Sequence, residues 1–379
     1  MNTENFNIIL INIDGFRKDR LDLCSHLKEI KENSLYFSNM NTVAPYTFAS
    51  LHAIFSGLYP SKNGVNGYYN IFKFKKNNIT TFPELLQKNG YFTSYDIIHD
   101  SVIPAQGFDE KNVFDEKTVD FPNRHSELIE KLSSKKKFFL FLHYTETHKH
   151  LVDSVIQKYK NDSNSDDYFK NKNENEIRFN SYMPLCNSYI KSIIETLHKT
   201  GIYDKTILIL FADHGTSLGE KLGEKFYGVY VYDYTVNVFC ILKIPNIDNK
   251  IINKQCSTLD IYPTILELAH IDKDTRYALD GSSLLDFLKN NGEKDRTVFV
   301  ETGGLYGPWP SPEEHNVFCI KANSKKLIYN KTPNTWEFYD LELDPHEKNN
   351  LFNEKSLEIE NYKKIMREYM QQNKIDINF

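Results

Sequence analysis

NFNIILINIDGFRKDRL, residues 5–21, opens on an apolar run that ends in Asp14-Gly15. A run this short and this apolar reads as a strand buried on both faces, with a carboxylate delivered at its C-terminal end. Two further segments repeat the pattern. KTILILFADHGTSLGE, residues 205–220, ends in Asp213-His214-Gly215, and KKFFLFLHYTETHKH, residues 136–150, ends in His143, Glu146, His148 and His150. Open α/β sheets build their sites at the carboxyl edge of the strands, and all three strands place ligand-type residues there. Taken one at a time each has a plainer reading: Asp14 as a turn residue, Asp213-His214-Gly215 as a cap and turn, His148 as an ordinary histidine.

Working outward, strands alternate with helices. TTFPELLQKNGYFTSYDII reads as a capped helix, a stop at Gly90 and another strand, and RFNSYMPLCNSYIKSIIETLHKTG as a helix interrupted near Pro184 that leads into the Asp213 strand. This alternation predicts an α/β fold with a mostly parallel central sheet sandwiched by helices. From about residue 316 the pattern changes to antiparallel strands, NVFCIKANSKKLIYN and NTWEFYDLEL, then a terminal helix in KSLEIENYKKIMREYMQQN. The expected division is a large domain over 1–315 and a small antiparallel α+β subdomain over 316–379. Residues 152–176, rich in Asn, Asp, Ser and Lys, read as a surface loop by composition, with a substrate lid as the other reading because they follow His148.

APYTFASLHAIFSGLYPSKNGV, residues 44–65, places Thr47 where a helix begins after Ala-Pro-Tyr. Unpaired N–H groups and the positive end of the dipole would draw an anionic ester there, beside the Thr47 hydroxyl. Threonine is also a favoured N-cap, the commoner role for such a residue.

Composition narrows the classes of partner. A net charge of −5 and a pI near 6.2 give no basic field, so nucleic-acid binding is not suggested. No stretch approaches the roughly 20 apolar residues of a membrane span. The N-terminus enters the first strand with no leader pattern, and five scattered cysteines form no Cys-x-x-Cys pair, so a cytoplasmic location is expected. Oligomeric state is not readable.

Six segments, in order, resemble the sulfatase family of the alkaline phosphatase superfamily. They are IDGFRKD, TFASLHAIFSGLYP, FLFLHYTETH, ADHGTSLGE, LDIYPTILELA with LDGSSLLDFL, and WEFYDLELDPHEKNNL. The resemblance implies an alkaline phosphatase-like fold and a metal held by Asp14, Thr47, Asp213 and His214. It gives Thr47 as nucleophile and His148 as the group that binds the ester oxygens or protonates the leaving group. His143 and His150 are left as ordinary histidines. Arg17 and Asp19 brace the first loop. Tyr227, at the family's substrate-touching position, and Lys225 close by are the further substrate-binding candidates beside His148. Mixed oxygen and nitrogen ligation suits Mn²⁺ or Zn²⁺ better than Ca²⁺. One ion is favoured over two, since only His148 and His315 could extend the set.

The chain departs from the sulfatase pattern at the nucleophile. The family's Cys/Ser-x-Pro-x-Arg, whose first residue becomes formylglycine, reads Thr47, Ala49 and Leu51 here, and Gly15 replaces the second Asp of the family's paired carboxylates. Oxidising a threonine gives a ketone, not an aldehyde. The expected function is therefore metal-dependent hydrolysis of phosphate or phosphonate mono- or diesters, on a small molecule or glycan, through a covalent phosphothreonine at Thr47. This resembles the phosphodiesterase, phosphonate monoester hydrolase and phosphoethanolamine or phosphoglycerol transferase branches. The alternatives are sulfate ester hydrolysis without formylglycine, transfer of a phospho group to a glycan hydroxyl, and a non-catalytic binding protein of the same fold.

Overall fold

The computed structural model describes residues 6–151, 170–221, 228–274, 276–289, 296–303, 316–331 and 333–376, side chains at 68, 69, 150 and 151 excepted. The strands in chain order are β1 (Asn7–Ile13), β2 (Leu35–Asn41), β3 (Phe92–Ile97), β4 (Glu110–Val113), β5 (Phe138–Tyr144), β6 (Thr206–Phe211), β7 (Asn237–Lys243), β8 (Lys250–Ile252) and β9 (Cys256–Ser257), then β10 (Val298–Gly303), β11 (Asn316–Ala322), β12 (Lys325–Asn330) and β13 (Thr335–Asp340). The helices are α1 (Ser25–Glu32), α2 (Thr47–Ser56), α3 (Pro60–Asn63), α4 (Phe82–Lys88), α5 (Phe121–Leu132), α6 (Glu146–Leu151), α7 (Lys172–Asn180), α8 (Met183–Lys199), α9 (Asp233–Val236), α10 (Ile261–Leu268), α11 (Asp286–Lys289) and α12 (Leu357–Gln372).

The large sheet runs β4-β3-β5-β1-β6-β7-β2-β8, with β9 also on β2. β1, β5 and β6 are buried along their whole lengths, as their unbroken apolar sequences require, and lie side by side in parallel. β7 is antiparallel to both β6 and β2, so β2 points the same way as β1 and ends at the same edge. The register sets Asn12 opposite both His143 and Phe211, which brings the ends of the three apolar strands together. Helix α8 packs against both α1 and α5, while α2, α4 and α10 pack with one another, forming two groups of helices about the sheet. Thr81 and Glu84 form the capping box that starts α4, and Pro184 sits in the first turn of α8, where its missing N–H costs no bond.

The small sheet, β10-β11-β12-β13, is antiparallel throughout. It takes its first strand from residues before 316. Ile359, Tyr362, Met366 and Met370 of α12 cluster with one face, and Val229, Val231, Tyr232 and Val236 with the other. A buried ion network fixes this second contact. Lys326 reaches Asp233 at 2.9 Å and Glu347 at 2.8 Å, while Lys321 reaches Asp233 at 2.8 Å and the Asn41 amide oxygen at 2.6 Å. Asn41 ends β2, so the network ties the small sheet to the strand that leads to Thr47.

Candidate active site at the carboxyl edge

Asp14 is the first residue past β1. Its N–H donates to the Tyr144 carbonyl at 3.0 Å, holding the chain on the sheet for one more residue. Gly15 then turns it with a φ of 65°, a left-handed conformation that favours glycine. His143 Nε2–H donates to Asp14 Oδ2 at 2.8 Å, and the Thr147 hydroxyl donates to the Asp14 carbonyl at 2.5 Å. Arg17 clamps the loop: it binds Asp19 through Nε and a terminal nitrogen at 3.0 and 2.8 Å, and reaches the Thr216 carbonyl and Glu220 on the neighbouring loop at 2.9 and 2.5 Å.

Asp213 is held from β1, its N–H donating to the Asn12 side-chain oxygen at 3.0 Å. Its Oδ1 accepts from the N–H groups of His214 and Gly15 at 3.0 and 3.3 Å. Its Oδ2 is buried with no hydrogen-bond partner among the described residues. Gly215 follows because nothing larger fits: a Cβ there would stand 2.1 Å from the Tyr234 carbonyl oxygen. His214 Nδ1 lies 2.8 Å from the Gly215 carbonyl, to which it donates. That spends the ring proton on Nδ1 and leaves Nε2 with its lone pair, the form a metal ligand needs.

Thr47 is positioned through the backbone of residues 42–46. The Thr42 N–H donates to the Val236 carbonyl at 2.9 Å, and the Glu301 N–H of β10 donates to the Val43 carbonyl at 2.9 Å. From α2, the Ser50 hydroxyl donates to the Asp213 carbonyl at 2.8 Å. The N-cap position falls on Tyr46, the helix carries no side-chain cap bond, and Thr47 is the first helical residue. Its hydroxyl points into the site, 3.1 Å from His214 Nε2 and 3.4 and 3.3 Å from the two Asp14 oxygens.

Ligand atoms of Asp14, Asp213 and His214 all lie within 4.8 Å of one another, and all three residues are buried. Burial opposes the Asp14 charge, but His148, His143 and His214 outweigh it and hold its carboxyl well below the usual range. Burial and the nearby Asp14 push the Asp213 carboxyl up, against His214, His143 and the Gly15 N–H. The orphaned Asp213 Oδ2, the His214 Nε2 3.7 Å from it and the neighbouring Asp14 carboxylate fit a divalent ion.

His148 lies at the start of α6, its Nδ1 3.7 Å from Glu116. Burial lowers its basicity, but Asp14, then Glu116 and Asp213, outweigh this and push it up to about 9. The structure therefore brings together Asp14, Thr47, Asp213 and His214, with His148 in their electrostatic field. Lys225, Tyr227, His315 and residues 152–169 lie outside the described residues, and residues 172–176, read from composition as loop, instead open helix α7. His143, set aside on sequence, touches Asp14 directly. Its signal was the strand pairing, which puts it opposite Asn12 two residues before Asp14. Glu116 had no local signal at all.

Residues 7–271 match the family model described as Sulfatase, and residues 224–376 match N-sulphoglucosamine sulphohydrolase, C-terminal. Arylsulfatase K of Rattus norvegicus is 29% identical over 200 residues, covering 48% of this chain and 33% of that protein. The chain thus matches about a third of this curated relative's length. Among solved structures, a 2-O GAG sulfatase superposes with a TM-score of 0.80 at 19% identity, covering 98% of this chain and 93% of the other. The phosphonate monoester hydrolase of Agrobacterium radiobacter gives a TM-score of 0.74 at 13% identity, covering 97% and 96%.

Proposed function

The chain belongs to the sulfatase family, and from that premise we propose that it hydrolyses phosphate or phosphonate esters, mono- or diesters, with Thr47 as the nucleophile. The observation that carries this reading is the Thr47 hydroxyl, directed at His214 Nε2 and Asp14 on the rim of a buried Asp-Asp-His cluster rather than capping its helix. Asp14, Asp213 and His214, with Thr47, would hold the divalent ion. A bound Mn²⁺ or Zn²⁺ supplies a lowered hydroxyl pKa and neutralisation of the ester's charge.

The chain's own residues do the rest. The backbone N–H groups and the positive dipole end at the start of α2 bind the anionic oxygens beside Thr47. Thr47 Oγ1 gives up its proton to solvent and forms the bond to phosphorus. The bond to the leaving oxygen breaks, and that oxygen takes a proton from His148. Water then cleaves the phosphothreonine. The substrate is a small-molecule or glycan ester, the second supported by the 2-O GAG sulfatase among structural neighbours.

A second reading has its own support: arylsulfatase K aligns over 48% of the chain, which favours a sulfate ester cleaved by Thr47 without formylglycine. Initial rates on matched p-nitrophenyl phosphate, phosphodiester, phenylphosphonate and sulfate separate the two. A phospho-ester preference abolished by Thr47→Ala is expected; a sulfate preference would reverse the assignment. Adding glycerol or a sugar tests for transfer, because a phosphotransferase would divert product from free phosphate to a new ester.

A further inference from the structure

Glu116 lies in the segment between β4 and α5, and His148 on α6. Their side chains face each other with Nδ1 and Oε1 3.7 Å apart, each side chain 19% exposed. Both atoms are sealed from solvent, and neither has a partner at hydrogen-bond distance among the described residues. Leaving a buried donor and a buried acceptor unused is costly, so two such atoms aimed at each other point to a contact that closes during function. Catalytic hydrogen bonds are often long before substrate binds, and about half an ångström of closure would bring this one into range.

The rest of the ring is placed by the backbone. His148 follows Thr147, which is pinned to the Asp14 carbonyl, and its own N–H donates to the Thr145 carbonyl at 2.9 Å. With Nδ1 turned to Glu116, Nε2 is the other ring nitrogen that could serve a bound ester. Asp14, then Glu116 and Asp213, are the charged groups that act most strongly on this imidazole. The charge of Asp14 and Asp213 would be shared with a bound cation. Glu116 stands outside that ligand set, so its pull on Nδ1 remains when the cation is present.

We propose that Glu116 is a positioning residue that accepts the Nδ1–H of His148 and thereby aims Nε2–H at the leaving oxygen of the ester. This rests on the ester-cleavage reading above and adds a residue to it. As the bond from the leaving oxygen to phosphorus or sulfur breaks, its electron pair stays on that oxygen, which takes the Nε2 proton. His148 regains a proton from solvent before the next turnover.

The role shows in leaving-group dependence. A p-nitrophenolate departs without a proton, whereas an alkoxide needs one. In the zinc-loaded full chain, Glu116→Gln should slow an alkyl ester by roughly 10- to 100-fold in kcat while changing the matched p-nitrophenyl ester by less than about 3-fold. Glu116→Asp should restore part of the loss. Side-chain ¹⁵N NMR of histidine, with the His148 signals assigned through His148→Asn, gives a readout independent of turnover. The Nδ1 and Nε2 signals of His148 should move in Glu116→Gln. Equal losses on both esters, unmoved His148 signals, or a second stoichiometric zinc lost in Glu116→Gln would each overturn the proposal. A wild type that cleaves no ester while Glu116→Gln still moves the His148 signals would refute the ester-cleavage reading and support the contact itself.

Discussion

Replacing Asp213 by Asn should stabilise the metal-free protein and destabilise the metal-loaded one. In the free protein Asp213 Oδ2 is buried without a partner, 3.7 Å from His214 Nε2 and in the field of the Asp14 carboxylate. An amide keeps the oxygen that accepts from Gly15 and His214. It puts an NH₂ where the orphaned oxygen was, facing a lone pair and a carboxylate. An unsatisfied buried polar group costs about 1–3 kcal/mol, so a gain of about 1–2 kcal/mol is expected in chelator. The wild type, by contrast, gains about 2.7 kcal/mol from an ion present at 100 times its Kd. The variant should gain almost none. The order of stabilities therefore inverts between chelator and metal. Urea unfolding of both proteins, in EDTA and in saturating Mn²⁺ or Zn²⁺, reads this directly. A variant that is less stable than wild type in EDTA, or one that keeps the full metal response, would refute the reasoning.

Three further outcomes follow from the same geometry. His143→Phe keeps an aromatic ring beside Phe114 and Phe141 but removes the donor to Asp14, so metal affinity should fall roughly 10- to 100-fold in a chelator competition. Gly215→Ala drives a methyl group against the Tyr234 carbonyl and should cost about 1–3 kcal/mol in denaturation, with weaker metal binding because the Asp213-His214 loop must move. Away from the site, His125 is fully buried between Asp96 and Tyr189, and burial outweighs Asp96 to lower its pKa. The unfolded chain then binds a proton that the folded one refuses. Stability should hold above about pH 6.5 and fall below it, by up to about 1.4 kcal/mol per pH unit, with His125→Gln flattening the slope in pH-dependent urea midpoints.

The sheet's centre was legible because buried parallel strands need nothing but apolar residues, and β1, β5 and β6 have little else. The edge residues Asp14, Asp213 and His214 could be read because Asp14 follows β1 directly and Asp213-His214 come just past the end of β6. His143 could not: within β5 it looks like any inward-facing residue, and only the register with β1 sets it against Asp14. The small antiparallel sheet read near the C-terminus is present, yet its first strand, β10, comes from before residue 316 and pairs with β11. VFVETG carries the same short apolar signature as a strand of the large sheet, and which sheet it joins depends on a distant partner. Glu116 lies in a polar stretch with no periodicity, and its position against His148 comes from the packing of the β4–α5 segment beside α6. The antiparallel β7 is hidden for the same reason, since direction is a property of a strand's neighbours.

The most direct measurement is chemical identification of the intermediate at Thr47. The metal-reconstituted protein would be mixed with a ³²P-labelled ester that it turns over, quenched in acid, digested, and the labelled peptide sequenced. Label on the peptide containing Thr47, absent in Thr47→Ala, is the expected result. Turnover without any label on Thr47, or label on another residue, would contradict the assignment of Thr47 as the nucleophile.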